Sequence, residues 1–280
     1  MTDHVIAFAA GAIATAILWQ LMKGVFDAPA LARRNVRGLD VPTAGGIVPA
    51  LGLLAVGVVA AQLFNAFDWR WAGGLASSST IVLLLVLPFA FLGLIDDLLA
   101  TGDERGFRGH VGALLRGRLT TGGVKLVGGG LVAMFLVFDV DDLFGSSIDV
   151  LVIALAANTA NLLDRAPGRA TKTAMVVLAV VLGVNGLSDQ LTSLTLVVGA
   201  TFGLLVVELD ERVMLGDTGV NPLGAAFGFA VVVSAGLWVT IGVLVVLVVL
   251  NVASERVSFS TVIARNPLLR WYDELGREPF

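Results

Sequence analysis

Two adjacent carboxylates, Asp96 and Asp97, close an apolar run that begins at about Ile81. A third acid, Asp217, lies between two other apolar segments in the turn LGDTGVNPLG. Carboxylates at membrane depth are costly and usually face a cavity or a partner. Any one of them taken alone could be the solvated end of a helix, but acids that recur at the ends of apolar segments predict a shared polar site.

The segment ANTANLLDRAPGR adds further polar groups to this predicted site. Asn158 and Asn161 are three residues apart and Asp164 is three further on. This spacing puts all three side chains on one side of a helix. We therefore count them among the candidate binding residues.

Glycine-rich turns accompany these acids, immediately before apolar helices begin. Gly216 and Gly219 flank Asp217, and the turn VPTAGGIVPALG offers the hydroxyl of Thr43 beside a pair of glycines. Backbone N–H groups in such a turn, with the positive end of the following helix, can bind a phosphate group. Asp217 could hold Mg²⁺, which takes one or two carboxylates together with phosphate oxygens. Each turn alone is a weak signal, because turns at helix starts are common.

The amino-acid composition indicates the environment in which such a site would lie. Of the 280 residues, 57% are hydrophobic and 14% are charged, with a mean hydropathy of +0.91. A soluble protein carries about one-quarter charged residues. This predicts an all-α integral membrane protein without a separate soluble domain. The absence of cysteine excludes disulfides and a thiolate nucleophile, and no basic stripe with interleaved aromatic residues indicates a nucleic-acid partner.

Apolar runs that approach the ~20 residues needed by a spanning helix recur along the chain. Their lengths and breaking residues predict a bundle of about nine spans within residues 1–251 and a cytoplasmic or membrane-surface tail over residues 252–280. The predicted spans are residues 4–22, 44–64, 78–96, 123–139, 148–164, 173–187, 191–207, 220–235 and 236–251. The first run is expected to be a retained helix and not a cleaved signal peptide.

The basic residues predict the orientation of this bundle. If the break at residues 23–43 is cytoplasmic, all of the 18 lysines and arginines except Arg70 fall in or beside cytoplasmic segments. By the positive-inside rule, the N-terminus is then outside and the C-terminus is in the cytoplasm.

Five motifs, in chain order VPTAGG, GLIDD, GGVKLVGG, NTANLLD and MLGDTG, carry a resemblance to a known family. Over about residues 20–235, the sequence resembles the polyprenyl-phosphate N-acetylhexosamine-1-phosphate transferases. Members of that family move a sugar phosphate from a UDP-sugar onto a membrane polyprenyl phosphate, release UMP and use Mg²⁺. The lipid phosphate lies at headgroup level, which would explain catalytic carboxylates where a helix leaves the bilayer.

The resemblance implies roles for individual residues. Asp96 and Asp97 match the paired catalytic acids, one of which would act as a base or orient the lipid phosphate. Asp217 matches the family's metal ligand, with Asp97 as a second candidate ligand. Substrate contacts are implied for Thr43, Lys125, Asn161 and Asp164. The chemistry of the residues themselves adds Asn158, Arg169, Lys172 and Gly216 to the predicted substrate-binding set.

The sequence also departs from the family pattern. The fifth-span motif, usually Asp-Gly-x-Asp-Gly-Leu, reads DRAPGR here, so that Arg165, Pro167 and Arg169 replace a glycine, an acid and a leucine. The usual histidine-rich loop and the tenth helix after it are not found; the histidines are His4 and His110. We expect Arg169 to bind a phosphate through two parallel hydrogen bonds. Alternatively, the added cations only follow the positive-inside bias or contact anionic lipid headgroups.

Three functions remain open from the sequence. The first is an Mg²⁺-dependent phospho-sugar transferase for cell-envelope polysaccharide, in the plasma (inner) membrane with its site facing the cytoplasm. Its partners would be a polyprenyl phosphate, a UDP-sugar and the bilayer, with a homodimer left open. The second is a catalytically inactive paralogue that binds polyprenyl phosphate or a membrane partner. The third is a transporter, to which acids at depth and glycine-rich helices are also suited.

Overall fold

The computed structural model describes residues 2–100, 112–113, 116–118 and 120–277. Most of these residues are helical and few are in strands, which confirms the predicted all-α class. The helices are α1 (Thr2–Met22), α2 (Ile47–Phe67), α3 (Arg70–Leu99), α4 (Thr121–Val137), α5 (Leu143–Leu163), α6 (Arg169–Asn185), α7 (Thr192–Phe202), α8 (Leu205–Leu209), α9 (Gly216–Ser234), α10 (Leu237–Ser254), α11 (Phe259–Arg265) and α12 (Pro267–Glu274).

Short elements connect α1 to α2. Two 3₁₀ turns, Lys23–Asp27 and Pro29–Leu31, lead into a hairpin of β1 (Ala32–Arg34) and β2 (Asp40–Pro42). The two strands are antiparallel, with Arg33 opposite Val41. The hairpin delivers the chain to the glycine turn that precedes α2.

Each of the nine predicted spans coincides with a helix in the described part of the chain, α7 and α8 together covering the seventh. Within the described residues, five segments are long and apolar enough to cross a membrane: Thr2–Asp27, α2, α3, α5 and α10. Helix α4 is apolar but shorter. The number of spans and their orientation stay predictions.

Among the helix boundaries, the start of α3 differs most from the prediction: the helix begins at Arg70 and not at residue 78. Asp68 adopts a left-handed backbone conformation with φ of 52° and donates its N–H to the carbonyl of Phe64, which ends α2. The chain therefore reverses within two residues, and the break predicted over residues 65–77 is mostly helix.

Helix α7 lies at the centre of the described bundle, since residues Thr192–Thr201 are all buried. It packs directly against the backbone of α1. A Cβ added at Gly11 would lie 2.6 Å from the carbonyl oxygen of Leu196, and one at Gly199 would lie 2.3 Å from that of Phe8. The small residues thus allow the close helix packing typical of membrane bundles.

The outer surface of the bundle is apolar. Trp238 on α10, Phe135 on α4 and Val184 on α6 are 82%, 80% and 78% exposed. Large exposed apolar faces mark contact with a partner or a membrane. Together with the apolar helices, they make this an integral membrane protein.

Candidate active site

Asp97 joins the end of α3 to the start of α9. Its Oδ1 accepts a hydrogen bond from the backbone N–H of Asp217 at 3.1 Å, and its Oδ2 accepts one from the N–H of Thr218 at 3.0 Å. The hydroxyl of Thr218 donates to the same Oδ2 at 2.6 Å, and that of Thr43 donates to Oδ1 at 3.3 Å. A carboxylate in this position satisfies N–H groups that have no partner within the helix and interacts favourably with the helix dipole.

Three chain segments meet at this point because glycines let their backbones touch. A Cβ at Gly93 on α3 would lie 2.2 Å from the carbonyl oxygen of Asp217, and one at Gly46 would lie 2.0 Å from the backbone nitrogen of Gly219. Gly216 has a φ of +67°, and a Cβ there would lie 2.6 Å from the Oδ2 of Asp97. The N–H of Gly46 also donates to the carbonyl of Leu215 at 2.8 Å. The predicted turns therefore form one rigid corner of α2, α3 and α9.

Lys125, at the start of α4, lies between two carboxylates of this corner. Its ammonium donates to Asp217 Oδ2 and lies 3.4 Å from Asp96 Oδ2. The side chains of Lys125, Asp96 and Asp217 are only 15%, 20% and 18% exposed. Asp97 accepts a hydrogen bond from the backbone of Asp217, so the corner holds three acids and one lysine and carries excess negative charge when all are ionised.

The amide of Asn161, at the end of α5, completes the cluster. Its Nδ2 donates to Asp217 Oδ1 at 2.7 Å and to Asn221 Oδ1 at 3.3 Å. Asn221 is not among the predicted site residues, although it lies four residues after Asp217 and therefore on the same side of α9. The structure thus brings together Asp96, Asp97, Asp217, Lys125, Asn161 and Thr43, six of the predicted residues, around the first residue of α9, Gly216.

The cluster offers one pair of carboxylates suited to a divalent cation. In the described residues, no group of three or more histidine, cysteine or acidic side chains is arranged as a metal site. Mg²⁺ needs only one or two carboxylates when phosphate supplies further oxygens. Asp96 and Asp217 already share the ammonium of Lys125, whereas both oxygens of Asp97 accept hydrogen bonds from α9. The donor set fits Mg²⁺ better at Asp96 and Asp217 than at the predicted pair Asp97 and Asp217.

A pocket of about 690 Å³ opens beside the cluster. Asp164 connects the two, because it lines the pocket and lies within electrostatic range of Asp97 and Asp217. The other polar and charged residues of the lining are Arg34, Asn35, Arg165, Glu208, Glu211, Ser254, Ser258 and Ser260. A cavity of this size accommodates a small organic ligand.

Glu208 is a buried acid in the wall of this pocket, beyond the predicted seventh span. Burial raises its pKa to about 7, although a hydrogen bond from the N–H of Gly168 and one from the Thr171 hydroxyl at 3.2 Å oppose the shift. Glu208 is not among the residues that the sequence predicts for the site. The signal was an acid inside the otherwise apolar run LLVVEL.

Three predicted substrate-binding residues make other contacts. The amide of Asn158 donates to Asn251 on α10. Arg169 is 7% exposed, and its guanidinium forms two parallel hydrogen bonds with Asp273 at 2.7 and 2.8 Å. Lys172 donates to the carbonyl of Asp273 at 2.6 Å. The structure does not bring these three residues into the carboxylate cluster, so their substrate contacts stay predictions.

The bidentate geometry predicted for Arg169 is present, but its partner is Asp273 in the tail and not a phosphate. Asp273 is not among the predicted residues, because no local pattern relates two residues 104 positions apart. Of the two histidines, His4 is buried against the Thr195 hydroxyl at 2.9 Å, and His110 lies outside the described residues.

Comparison with known proteins identifies the family. No family model matches the sequence. The phospho-N-acetylmuramoyl-pentapeptide-transferase of Desulforamulus reducens is 31% identical over 244 residues, which cover 79% of this chain and 69% of the relative. The proteins of the same name from Borrelia garinii and Geobacillus kaustophilus are each 26% identical, over 84% of this chain and 74% and 76% of their own lengths. With this identity over most of both sequences, the chain belongs to the phospho-N-acetylmuramoyl-pentapeptide-transferase family as a divergent member.

Proposed function

We propose that this protein transfers an N-acetylhexosamine-type sugar phosphate from a UDP-sugar to a membrane polyprenyl phosphate, with release of UMP, for cell-envelope polysaccharide synthesis. The observation that carries the proposal is the convergence of Asp96, Asp97 and Asp217 at the ends of α3 and α9, with Lys125 of α4 paired to Asp96 and Asp217. Relatives named as phospho-N-acetylmuramoyl-pentapeptide-transferases support the same reaction class.

The reaction needs little activation of the nucleophile. An oxygen of the lipid phosphate, already anionic near neutral pH, attacks the phosphorus that carries the sugar. The bond from this phosphorus to the bridging oxygen breaks, and UMP leaves. Phosphoryl transfer of this kind depends mainly on alignment and on charge stabilisation of the phosphoryl oxygens.

The cluster divides these tasks among its residues. The ammonium of Lys125 would move from the carboxylates toward the phosphoryl oxygens, where it stabilises the developing charge. Asp96 would orient the lipid phosphate and accept any proton that it still carries. Asp97 holds the N-terminus of α9 in place through the N–H groups of Asp217 and Thr218, so that the side chain of Asp217 faces the reacting phosphates. Bound Mg²⁺, held by Asp96 and Asp217, would neutralise the diphosphate of the donor.

The donor would occupy the neighbouring pocket. Arg34 and Arg165 supply positive charge to its lining, and Asp164 leads from the pocket to the cluster. The distribution of lysine and arginine supports a plasma-membrane orientation in which the pocket faces the cytoplasm, where nucleotide sugars are available.

The experiment that tests this function uses the purified chain. Radiolabelled UDP-N-acetylhexosamines are incubated with undecaprenyl phosphate and Mg²⁺, and lipid-linked label and UMP are measured. Equal amounts of both products are expected, with none when undecaprenol replaces its phosphate. Binding of undecaprenyl phosphate without release of UMP from any donor would contradict the proposal and favour the inactive paralogue.

A further inference from the structure

We propose that the C-terminal segment, residues 259–277, is a wall of the donor pocket, and that Asp273 is the positioning residue that holds this wall closed. The inference rests on the proposed function in so far as the pocket receives the donor. The role of Asp273 as an anchor of the tail can be measured without any transfer reaction.

Asp273 is the buried centre of an ion-pair network. It is 8% exposed and binds Arg169 through both of its carboxylate oxygens. The Nη2 of Arg277 donates to the same carboxylate at 2.6 Å. Burial opposes ionisation of Asp273, but the hydrogen bonds and charges of the two arginines outweigh it and hold its pKa below the usual range.

The end of α12 is fixed by a second set of contacts with α6. The ammonium of Lys172 donates to the carbonyls of Tyr272, Asp273 and Leu275 at 3.2, 2.6 and 2.9 Å. In return, the hydroxyl of Tyr272 donates to the carbonyl of Lys172 at 2.8 Å. A cation is favourable here because the last carbonyls of a helix have no partner within the helix.

The same network reaches two different segments of the pocket lining. The Nε of Arg277 donates to the carbonyl of Pro167 at 2.9 Å, and Nη1 of Arg169 donates to the hydroxyl of Ser260 at 2.8 Å. Both Pro167 and Ser260 line the pocket. Asp273 holds both arginines in place and thereby fixes the separation between the loop after α5 and the start of α11.

Loss of the Asp273 carboxylate would leave Arg169, Lys172 and Arg277 close together without the acid that pairs directly with both arginines, while Glu208 stays within electrostatic range of Lys172 and Arg277. Like charges at short range repel and buried unpaired charges are costly, so the tail should move away from α6. The three acids and the lysine of the cluster lie on α3, α4 and α9, which make none of these contacts. Binding of the donor should therefore weaken while the chemical step stays nearly unchanged.

The kinetic arm compares Asp273→Asn with Glu274→Gln, an exposed acid at the next position. Asp273→Asn should raise KM for the UDP-sugar about tenfold with kcat within about twofold of the parent. Asp273→Glu should recover part of the loss, and Glu274→Gln should change neither constant. A fall in kcat at unchanged KM, or equal effects of Asp273→Asn and Glu274→Gln, would overturn the proposal.

The structural arm needs no activity and uses the absence of native cysteine. A single cysteine is introduced at Ala166, which lines the pocket, and its rate of maleimide labelling is measured in folded protein. Asp273→Asn should accelerate labelling about tenfold, whereas Glu274→Gln should not. If Asp273→Asn does not fold, Arg277→Gln should give the same direction of change. Unchanged labelling in both variants would overturn the anchoring role, and an inactive parent with accelerated labelling would refute only the transfer reaction.

Discussion

Replacing Asp97 with asparagine should destabilise the protein far more than the same change at its neighbour Asp96. Adjacent helical residues point about 100° apart, and the two acids therefore have different partners. Asp97 accepts three hydrogen bonds from the first residues of α9 and one from Thr43. Asp96 contacts Lys125 at 3.4 Å, and Lys125 keeps Asp217 as a partner when Asp96 is neutral.

The contacts of Asp97 and Asp96 predict how much the two variants should differ in their free energy of unfolding. A hydrogen bond to a charged group contributes roughly 1.5–3 kcal/mol. Asparagine keeps one acceptor oxygen and turns an N–H donor toward the donors of α9, so Asp97→Asn should lower the free energy of unfolding by about 2–4 kcal/mol. Asp96→Asn removes one 3.4 Å ion pair with Lys125 but also relieves the excess negative charge beside Asp217, so a net loss of only about 0–1 kcal/mol is expected.

Thermal unfolding in detergent, followed by tryptophan fluorescence without substrates, measures this difference. The midpoint should fall by about 5–10 °C for Asp97→Asn and little for Asp96→Asn. At a temperature where both variants are folded, Asp96→Asn should still lose transfer activity by about 10² or more, because the group that orients the lipid phosphate is gone. Equal midpoints for the two variants would refute the assignment of Asp97 as the anchor of α9.

Three further predictions concern other parts of the molecule. Gly93→Ala should destabilise the bundle by about 1–3 kcal/mol, because the added Cβ would press on the backbone of α9. Gly74→Ala, on the same helix, meets no atom within 4 Å and should not lower the stability. Chemical or thermal unfolding compares the two variants. Burial raises the pKa of Glu208 from 4.5 to about 7, so the parent loses stability as the pH rises through this range. The free energy of unfolding of Glu208→Gln relative to the parent should therefore increase between pH 5 and pH 8, by an amount on the order of 3 kcal/mol. A constant difference across this range would contradict the prediction. A C-terminal reporter that is active only outside the cell should stay inactive, and activity would overturn the predicted orientation.

Residue types and spacing were sufficient to predict most of the cluster. Acids and amides in otherwise apolar segments have few stable positions, because each needs a polar partner. In the predicted nine-span topology, the helix ends that carry Asp96, Asn161 and Asp217 also follow odd-numbered spans, which would place them at one membrane face. The order of the spans along the chain therefore predicts that these residues lie close together.

Other features depend on contacts that no local pattern contains. The pairing of Arg169 with Asp273 requires the tail to fold back on α6, and a three-residue spacing could not reveal that Asn158 contacts α10. Periodicity also could not tell which of two neighbouring acids faces the start of α9. The early start of α3 follows from the left-handed conformation of Asp68, which an aspartate adopts at some cost and which sequence alone does not specify.

Transfer of label from a UDP-N-acetylhexosamine to undecaprenyl phosphate by Asp217→Asn is the most direct test of the catalytic cluster. Asp217 contacts both Lys125 and Asn161, so its change to asparagine should reduce kcat by about 10² or more. Asp210→Asn, an exposed acid on the loop before α9, is the matched control and should keep parental activity. Parental kcat in Asp217→Asn, with the same UMP release as Asp210→Asn, would contradict the assignment of this cluster as the active site.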